Sequence, residues 1–275
     1  MDRNHVRSSK TARDDTALTY LYCLVRCRKA PLVGKAPRGL PGMGRVRAVA
    51  VRETLWLIVA DAPRERYDAA AIESGLRDLG WVSACGMAHE AVIEHFARAA
   101  AGAVIPMKLF TIFSTEARAL EHISRDIRRL ERLLDRLAGR QEWGVRIALD
   151  EARAMTRARE RARRAVGPVG SGASFLRLKK EERDLRRRLF QDARAEIDPV
   201  FEELARHADD ARRRPPSAAE AAARLLLDAA FLVPSKNAAK FRTAASRIAA
   251  HLDPEGCALT LTGPWPPYNF VSGMA

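Results

Sequence analysis

"AVIPMKLFTIFSTEARALEHISRDIRRLERLLDRLAGRQEWGVRIAL" (residues 103–149) reads as strand, helix, strand. Apolar residues crowd 103–113, and Pro106 marks that strand as an edge or a bulge, because proline cannot donate into a ladder. Leu120, Ile123, Ile127, Leu130, Leu134 and Leu137 then recur at three- and four-residue steps, the narrow apolar stripe of a packed helix. Ser114 stands where a cap is needed, and Gly139 ends the helix. "EWGVRIAL" (142–149) returns to strand.

Downstream, the pattern continues. Residues 150–165 read as a basic helix, and "GPVGSGAS" (167–174) breaks it. A long helix follows from about 175 to 211, with Leu178, Leu185, Leu189, Ile197, Val200 and Leu204 on one side, and "RRRPPS" (212–217) stops it. "ARLLLDAAFLVP" (223–234) is a strand, 235–252 a helix and "CALTLTG" (257–263) a last strand. With the helix pair set aside, the order is βαβ–βαβ, the ferredoxin-like arrangement of four strands under two helices. The expectation is an α+β chain whose second domain, 103–263, is ferredoxin-like with an inserted antiparallel helical hairpin at about 150–214, coiled-coil in character.

Upstream, residues 1–16 are polar and aperiodic and read as a mobile basic arm. An N-terminal α+β domain is expected over 17–102. It opens with the strand "ALTYLYCLVR" (17–26), followed by the Pro/Gly-rich loop 28–45. Strands at 46–51 and 54–60 follow, then helices at 64–79 and 87–101 with "GWVSACG" (80–86) between them. Residues 264–275 form a Pro/aromatic C-terminal tail.

Composition narrows the function. The chain has 275 residues and a net charge of +14. Forty of its basic residues are Arg and eight Lys, a uniform bias that fits a GC-rich genome better than a phosphate-reading surface. Residues 1–52 carry twelve basic and three acidic side chains, a net +9, so a nucleic-acid-binding module would have to use that segment. Over 150–214, eighteen basic residues face thirteen acidic ones, the balance of a salt-bridged helix surface. No apolar run approaches the roughly 20 residues of a membrane span, and the first residues lack a secretory hydrophobic core. The expected compartment is the cytoplasm.

Sites of chemistry are scarce. Cys23, Cys27, Cys85 and Cys257 have no metal spacing and read as buried thiols. In "HEAVIEH" (89–95) the histidines lie six apart, roughly 240° around a helix, so they do not converge on one ion. "GPVGSGAS" lacks the Gly-Lys-Ser/Thr ending of a phosphate loop and reads as a turn. Asp228, inside "LLLDAAFLV", is either a perturbed carboxylate or an edge-facing or hydrogen-bonded one. Aromatic residues are too few for an RNA-stacking sheet. Neither catalysis nor a cofactor is indicated.

Four stretches together resemble the gas vesicle protein GvpL/GvpF family: "VIPMKLFTIF" (104–113), "EWGVRI" (142–147), "GSGASFLRLKK" (170–180) and "LTGPWPPYNF" (261–270). Their order and spacing fit as well, over about residues 18–271. Two departures stand out. Phe110 occupies a position where members usually have a small residue, often Gly, which bears on any close backbone approach there; Phe175 replaces a common Tyr. The resemblance implies a non-enzymatic accessory protein of gas vesicle assembly. Its expected partners are the hydrophobic major shell protein (GvpA-type) and other accessory proteins, and its expected location is the gas vesicle in the cytoplasm. The helical arm or an interdomain cleft would receive the shell subunit.

The tail carries the candidate interaction residues. Prolines 264, 266 and 267 hold the backbone extended, so Trp265, Tyr268 and Phe270 are presented at low ordering cost. Trp265, Pro266, Pro267, Tyr268 and Phe270, with Trp143 of the EWGV stretch, either clamp the protein's own domains or anchor another chain.

Overall fold

The computed structural model describes residues 17–99, 103–166, 175–215 and 224–271. The basic arm expected over 1–16 and the small-residue turn 167–174 lie outside the described residues. Two units divide the chain. Unit 1 is Met1–Gly139 together with Pro266–Ala275; unit 2 is Arg140–Trp265.

Unit 1 is built on β1 (Ala17–Arg26), whose residues Leu18 to Val25 are all buried. A strand buried along both faces needs cover on both, and unit 1 supplies it. β1 pairs antiparallel with β3 (Leu55–Pro63), which pairs with β2 (Arg47–Arg52). After two short helices, α1 (Arg64–Tyr67) and α2 (Ala69–Gly75), the helix α3 (Leu79–Ala99) packs on one face. Cys85, His89, Val92, Ile93 and Phe96 point inward from it, meeting Tyr20, Tyr22, Ile58 and Ala60. On the sheet's other side lie α4 (Glu116–Arg125) and α5 (Ile127–Leu137), packed against β1 and the short strand β4 (Val104–Pro106). Ile123, Ile127, Leu130, Leu134 and Leu137 of the predicted stripe are all buried there. Thr115, not Ser114, caps α4 by accepting from the Arg118 N–H, and the helix breaks at Asp126. Gly139 ends α5 with φ +70°.

The stretch 103–113 departs from expectation in its partner. It is two short strands, β4 and β5 (Ile112–Phe113), and both pair with β1 in the first sheet. The ladder continues across the gap: Met107 N–H donates to the Tyr22 carbonyl and Leu21 N–H to the Thr111 carbonyl, both at 2.9 Å. Between them a turn at Lys108–Thr111 bulges out, closed by a Thr111 N–H to Lys108 carbonyl bond of 3.1 Å. The strand expected to open the second domain therefore belongs to unit 1. A second correction concerns "GWVSACG", which is the first part of α3; Gly80 and Gly86 are tolerated because Trp81, Val82 and Cys85 supply the helix's inner face.

Unit 2 holds a four-stranded antiparallel sheet in the order β7-β8-β6-β9. β6 is Arg140–Leu149, β7 Asp210–Arg213, β8 Leu225–Pro234 and β9 Cys257–Trp265. Every second residue of the central pair faces one way: Trp143, Val145, Ile147 and Leu149 of β6, with Leu227, Ala229, Phe231 and Val233 of β8, form the apolar face. Between β6 and β7 come α6 (Glu151–Val166), α7 (Phe175–Ala195) and α8 (Ile197–Ala205). α8 and α9 (Ala238–Leu252) cover the apolar face through Ile197, Val200, Leu204, Phe241, Ala245 and Ile248. The helix expected to run to 211 thus breaks at Glu196 and stops at Ala205. The residues after it form β7, a strand of the sequence DARR. Three charges in four residues hid it from any apolar pattern; pairing with β8, from Asp210 opposite Leu232 to Arg213 opposite Ala229, makes it a strand. Asp228 sits on inner strand β8, bonded by the Arg214 Nε at 2.9 Å and approached by Arg146 at 3.3 Å.

Candidate interaction site

The six predicted residues do not form one site. Trp143 is buried in the core of unit 2, its ring 6.1 Å from that of Phe241. Its indole N–H has no acceptor among the described residues. Trp265 ends β9 opposite Glu142 and is 40% exposed. The next residue, Pro266, begins the piece of chain that returns to unit 1. Pro266, Pro267 and Phe270 are buried, and Tyr268 is half-buried.

The returning segment is wound by its backbone and anchored through the Tyr268 hydroxyl. Tyr268 N–H donates to the Pro266 carbonyl (2.8 Å) and Phe270 N–H to the Pro267 carbonyl (3.1 Å), winding a single turn. That turn aims the Tyr268 hydroxyl at the Glu90 carboxylate on α3, to which it donates. Burial, and next the Glu90 carboxylate, push the Tyr268 phenol well above its ordinary range, so it stays a donor. Its ring lies against the unit 1 core.

Beneath α3 lies a polar cluster that the sequence reading missed. Tyr20 and Tyr22, two apart on β1, project to the same side, with ring centroids 4.6 Å apart. His89 Nε2 is 3.1 Å from the Met107 carbonyl, so that nitrogen carries the proton. His89 Nδ1 then accepts from the Tyr20 hydroxyl at 2.7 Å, and the same hydroxyl accepts from the Phe110 N–H at 3.2 Å. The Tyr22 hydroxyl accepts from Leu40 N–H at 3.1 Å, and the Tyr67 hydroxyl donates to the Pro41 carbonyl at 2.7 Å, tying down the 28–45 loop. Burial lowers His89 to about 4, against which the Met107 bond acts, so the imidazole is neutral at pH 7. Burial pushes the Tyr22 phenol up to about 12. Each of these polar groups is buried with a partner, the arrangement a low-dielectric core demands. The legible signal was His89 itself, at the helical spacing of Cys85, Val92, Ile93 and Phe96.

Phe110 is the third residue of the Lys108–Thr111 turn and has φ +63°. That region suits glycine and costs an L-residue roughly 1–2 kcal/mol. Its ring stacks on Trp81 of α3, 5.3 Å between centroids and 8° between planes.

Of the basic residues in 17–52, Arg26, Arg47 and Arg52 are already engaged by carboxylates: Arg26 by Asp135, Arg47 by Glu116 and Asp61, Arg52 by Glu131. No helix among the described residues is long and apolar enough to cross a membrane.

The profile of the family described as gas vesicle synthesis protein GvpL/GvpF matches residues 18–272. The chain belongs to that family. Family membership gives it a role in gas vesicle formation. Among relatives, the gas vesicle protein L of Streptomyces sp. (strain CB03234) is 29% identical over 258 residues, 92% of each chain. The crystal structure of the gas vesicle protein GvpF from Anabaena sp. PCC7120 superposes with a TM-score of 0.67 at 19% identity, covering 94% of this chain and 97% of that one. GvpF from Microcystis aeruginosa gives 0.63 at 16% identity, covering 94% and 100%. The family's mixed α/β fold with two antiparallel sheets is therefore that of this chain.

Proposed function

We propose that this protein is a non-enzymatic accessory factor of gas vesicle assembly that binds the apolar shell subunit and helps nucleate or build the shell in the cytoplasm. The observation that carries the reading is a set of exposed large apolar side chains in unit 1: Leu76 (53% exposed), Leu79 (82%) and Met87 (66%). Leu79 and Met87, eight residues apart, lie about 80° apart on the outer half of α3. Exposed apolar side chains on one helix and at the turn just before it suit an apolar partner. The test is capture of purified shell subunit by the full chain and by a Leu76→Glu, Leu79→Glu, Met87→Glu triple variant. Loss of capture with an unchanged melting temperature is expected. Equal capture by the variant would discard this surface, and no capture by either protein would discard the function.

The same reading takes the tail as an internal clamp and not as an external anchor. Supporting it are the burial of Phe270 and the bond from Tyr268 to Glu90. It also takes unit 2 as ferredoxin-like, with α6 and α7 as a projecting hairpin. What favours this is the strand order β7-β8-β6-β9 and the Arg159–Glu182 ion pair between α6 and α7, 3.1 Å.

A further inference from the structure

A sheet edge is a row of backbone donors and acceptors open to another strand, and proteins guard it with charge, proline or shortness. Three of the described edges here are guarded. β2 carries Arg47 and Arg52 at its ends; β4 is three residues long and ends on Pro106; β7 is four residues long with three charges. β9 is different. It spans nine residues, CALTLTGPW, without a single charge, in a chain of net charge +14. Its inner side pairs with β6 from Leu149–Cys257 to Glu142–Trp265, and no described strand pairs with its outer side. Ala258, Thr260 and Thr262 are exposed on one face, while Leu259 and Leu261 on the other sit half-buried at the rim of the unit 2 core.

We propose that the outer edge of β9 is a self-pairing site, where two copies of this chain join antiparallel across a two-fold axis at Thr260. The sequence around that residue is complementary to itself. An axis at Thr260 sets Thr260 against Thr260, Leu259 against Leu261, and Ala258 against Thr262 of the second copy. Threonines pair by hydrogen bonding across strands, and apolar pairs bury one another. The half-buried leucines of each copy thereby gain cover, and the two apolar faces become continuous. No like charges meet along the ladder, which matters between two copies of a strongly basic chain. Pro264 has no N–H to donate and closes the ladder at its far end. The closed pair leaves neither copy with an open β9 edge, so assembly stops at two. One strand pair buries less than a standard interface of about 1,600 Å², so the dimer forms as concentration rises.

The test is sedimentation equilibrium of the full chain over a wide concentration range, beside Thr260→Lys and Thr260→Ser. The average mass of the wild type and of T260S is expected to rise towards that of a dimer. T260K, which sets two ammonium groups opposite each other at an exposed position, stays monomeric. Thr260→Cys supplies a second readout, since directly opposed residues in an antiparallel pair have Cα atoms about 4.5–5.5 Å apart, within disulfide reach. Under mild oxidation T260C is expected to form a covalent dimer well ahead of Ser124→Cys, an exposed control on α4, and of the wild type, whose Cys23, Cys85 and Cys257 are buried and Cys27 half-buried. A wild type that stays monomeric throughout, a T260K that associates like the wild type, or a T260C that links no faster than S124C would each overturn the proposal.

Discussion

The two units solve the same problem in different ways. Unit 2 covers one face of its sheet with two helices over a cluster of apolar side chains, in which the Trp143 indole N–H has no acceptor among the described residues. Unit 1 covers both faces of β1, places four hydrogen-bonding rings (Tyr20, Tyr22, Tyr67 and His89) in its interior, and takes its last piece from the far end of the sequence. The contrast separates autonomy from dependence. The ends of unit 2 meet inside its own sheet, where Glu142 faces Trp265, whereas unit 1 is complete only with Pro266–Phe270 in place.

Removing 266–275 is the strongest way to break this comparison. Loss of a buried Phe alone costs about 3–5 kcal/mol, and the deletion also removes the Tyr268–Glu90 bond. Calorimetry is expected to show unit 1 melting at a markedly lower temperature while the unit 2 transition stays in place. An unchanged melting profile together with lost partner binding would instead make the segment an external anchor.

Acid tests the polar interior next. His89 has a folded pKa of about 4 against an ordinary 6.5, so the unfolded chain takes up the proton first. The stability it contributes is complete above pH 6.5 and falls as pH drops towards 4. The loss amounts to about 2 kcal/mol by pH 5 and about 3 kcal/mol by pH 4. Urea midpoints for unit 1 should follow that curve, and a flat response between pH 7 and 5 would mean that His89 is hydrated.

Two smaller effects sharpen the comparison. Phe110→Gly relieves the turn but loses the Trp81 stack, worth about 0.5–1.5 kcal/mol, so it should be near neutral. Phe110→Ala loses the stack and keeps the strain, so chemical denaturation should place it about 1 kcal/mol below the Gly variant. In unit 2, Trp143→Phe keeps a ring beside Phe241 and removes an unpaired donor, and the change should stay within about 1 kcal/mol of the wild type. A large loss there would reveal an acceptor for the indole.

Local pattern made much of this legible. β1, the α4–α5 stripe, β6 and β8 follow from alternation or from three- and four-residue steps within a few turns of chain. What the pattern could not carry is long-range choice. The stretch 104–113 is a strand in either sheet by its own composition, and only β1, some eighty residues earlier, decides which. β7 has no apolar signal and exists because β8 offers it an edge. The candidate site suffered the same way. Tail rigidity is written in the prolines, but the Glu90 acceptor lies 178 residues from Tyr268, among unremarkable helix carboxylates. Tyr20, Tyr22 and His89 look like ordinary core positions until the fold brings their polar atoms together.

The split layout of unit 1 also sets a timetable. A ribosome working at about 5–20 residues per second needs on the order of ten seconds to make residues 140–265. Throughout that interval the nascent Tyr20–His89 core waits without its closing segment, and unit 2 receives its last strand, β9, as the interval ends, still ahead of Pro266–Phe270. Birth order alone therefore makes the later module the earlier one to mature.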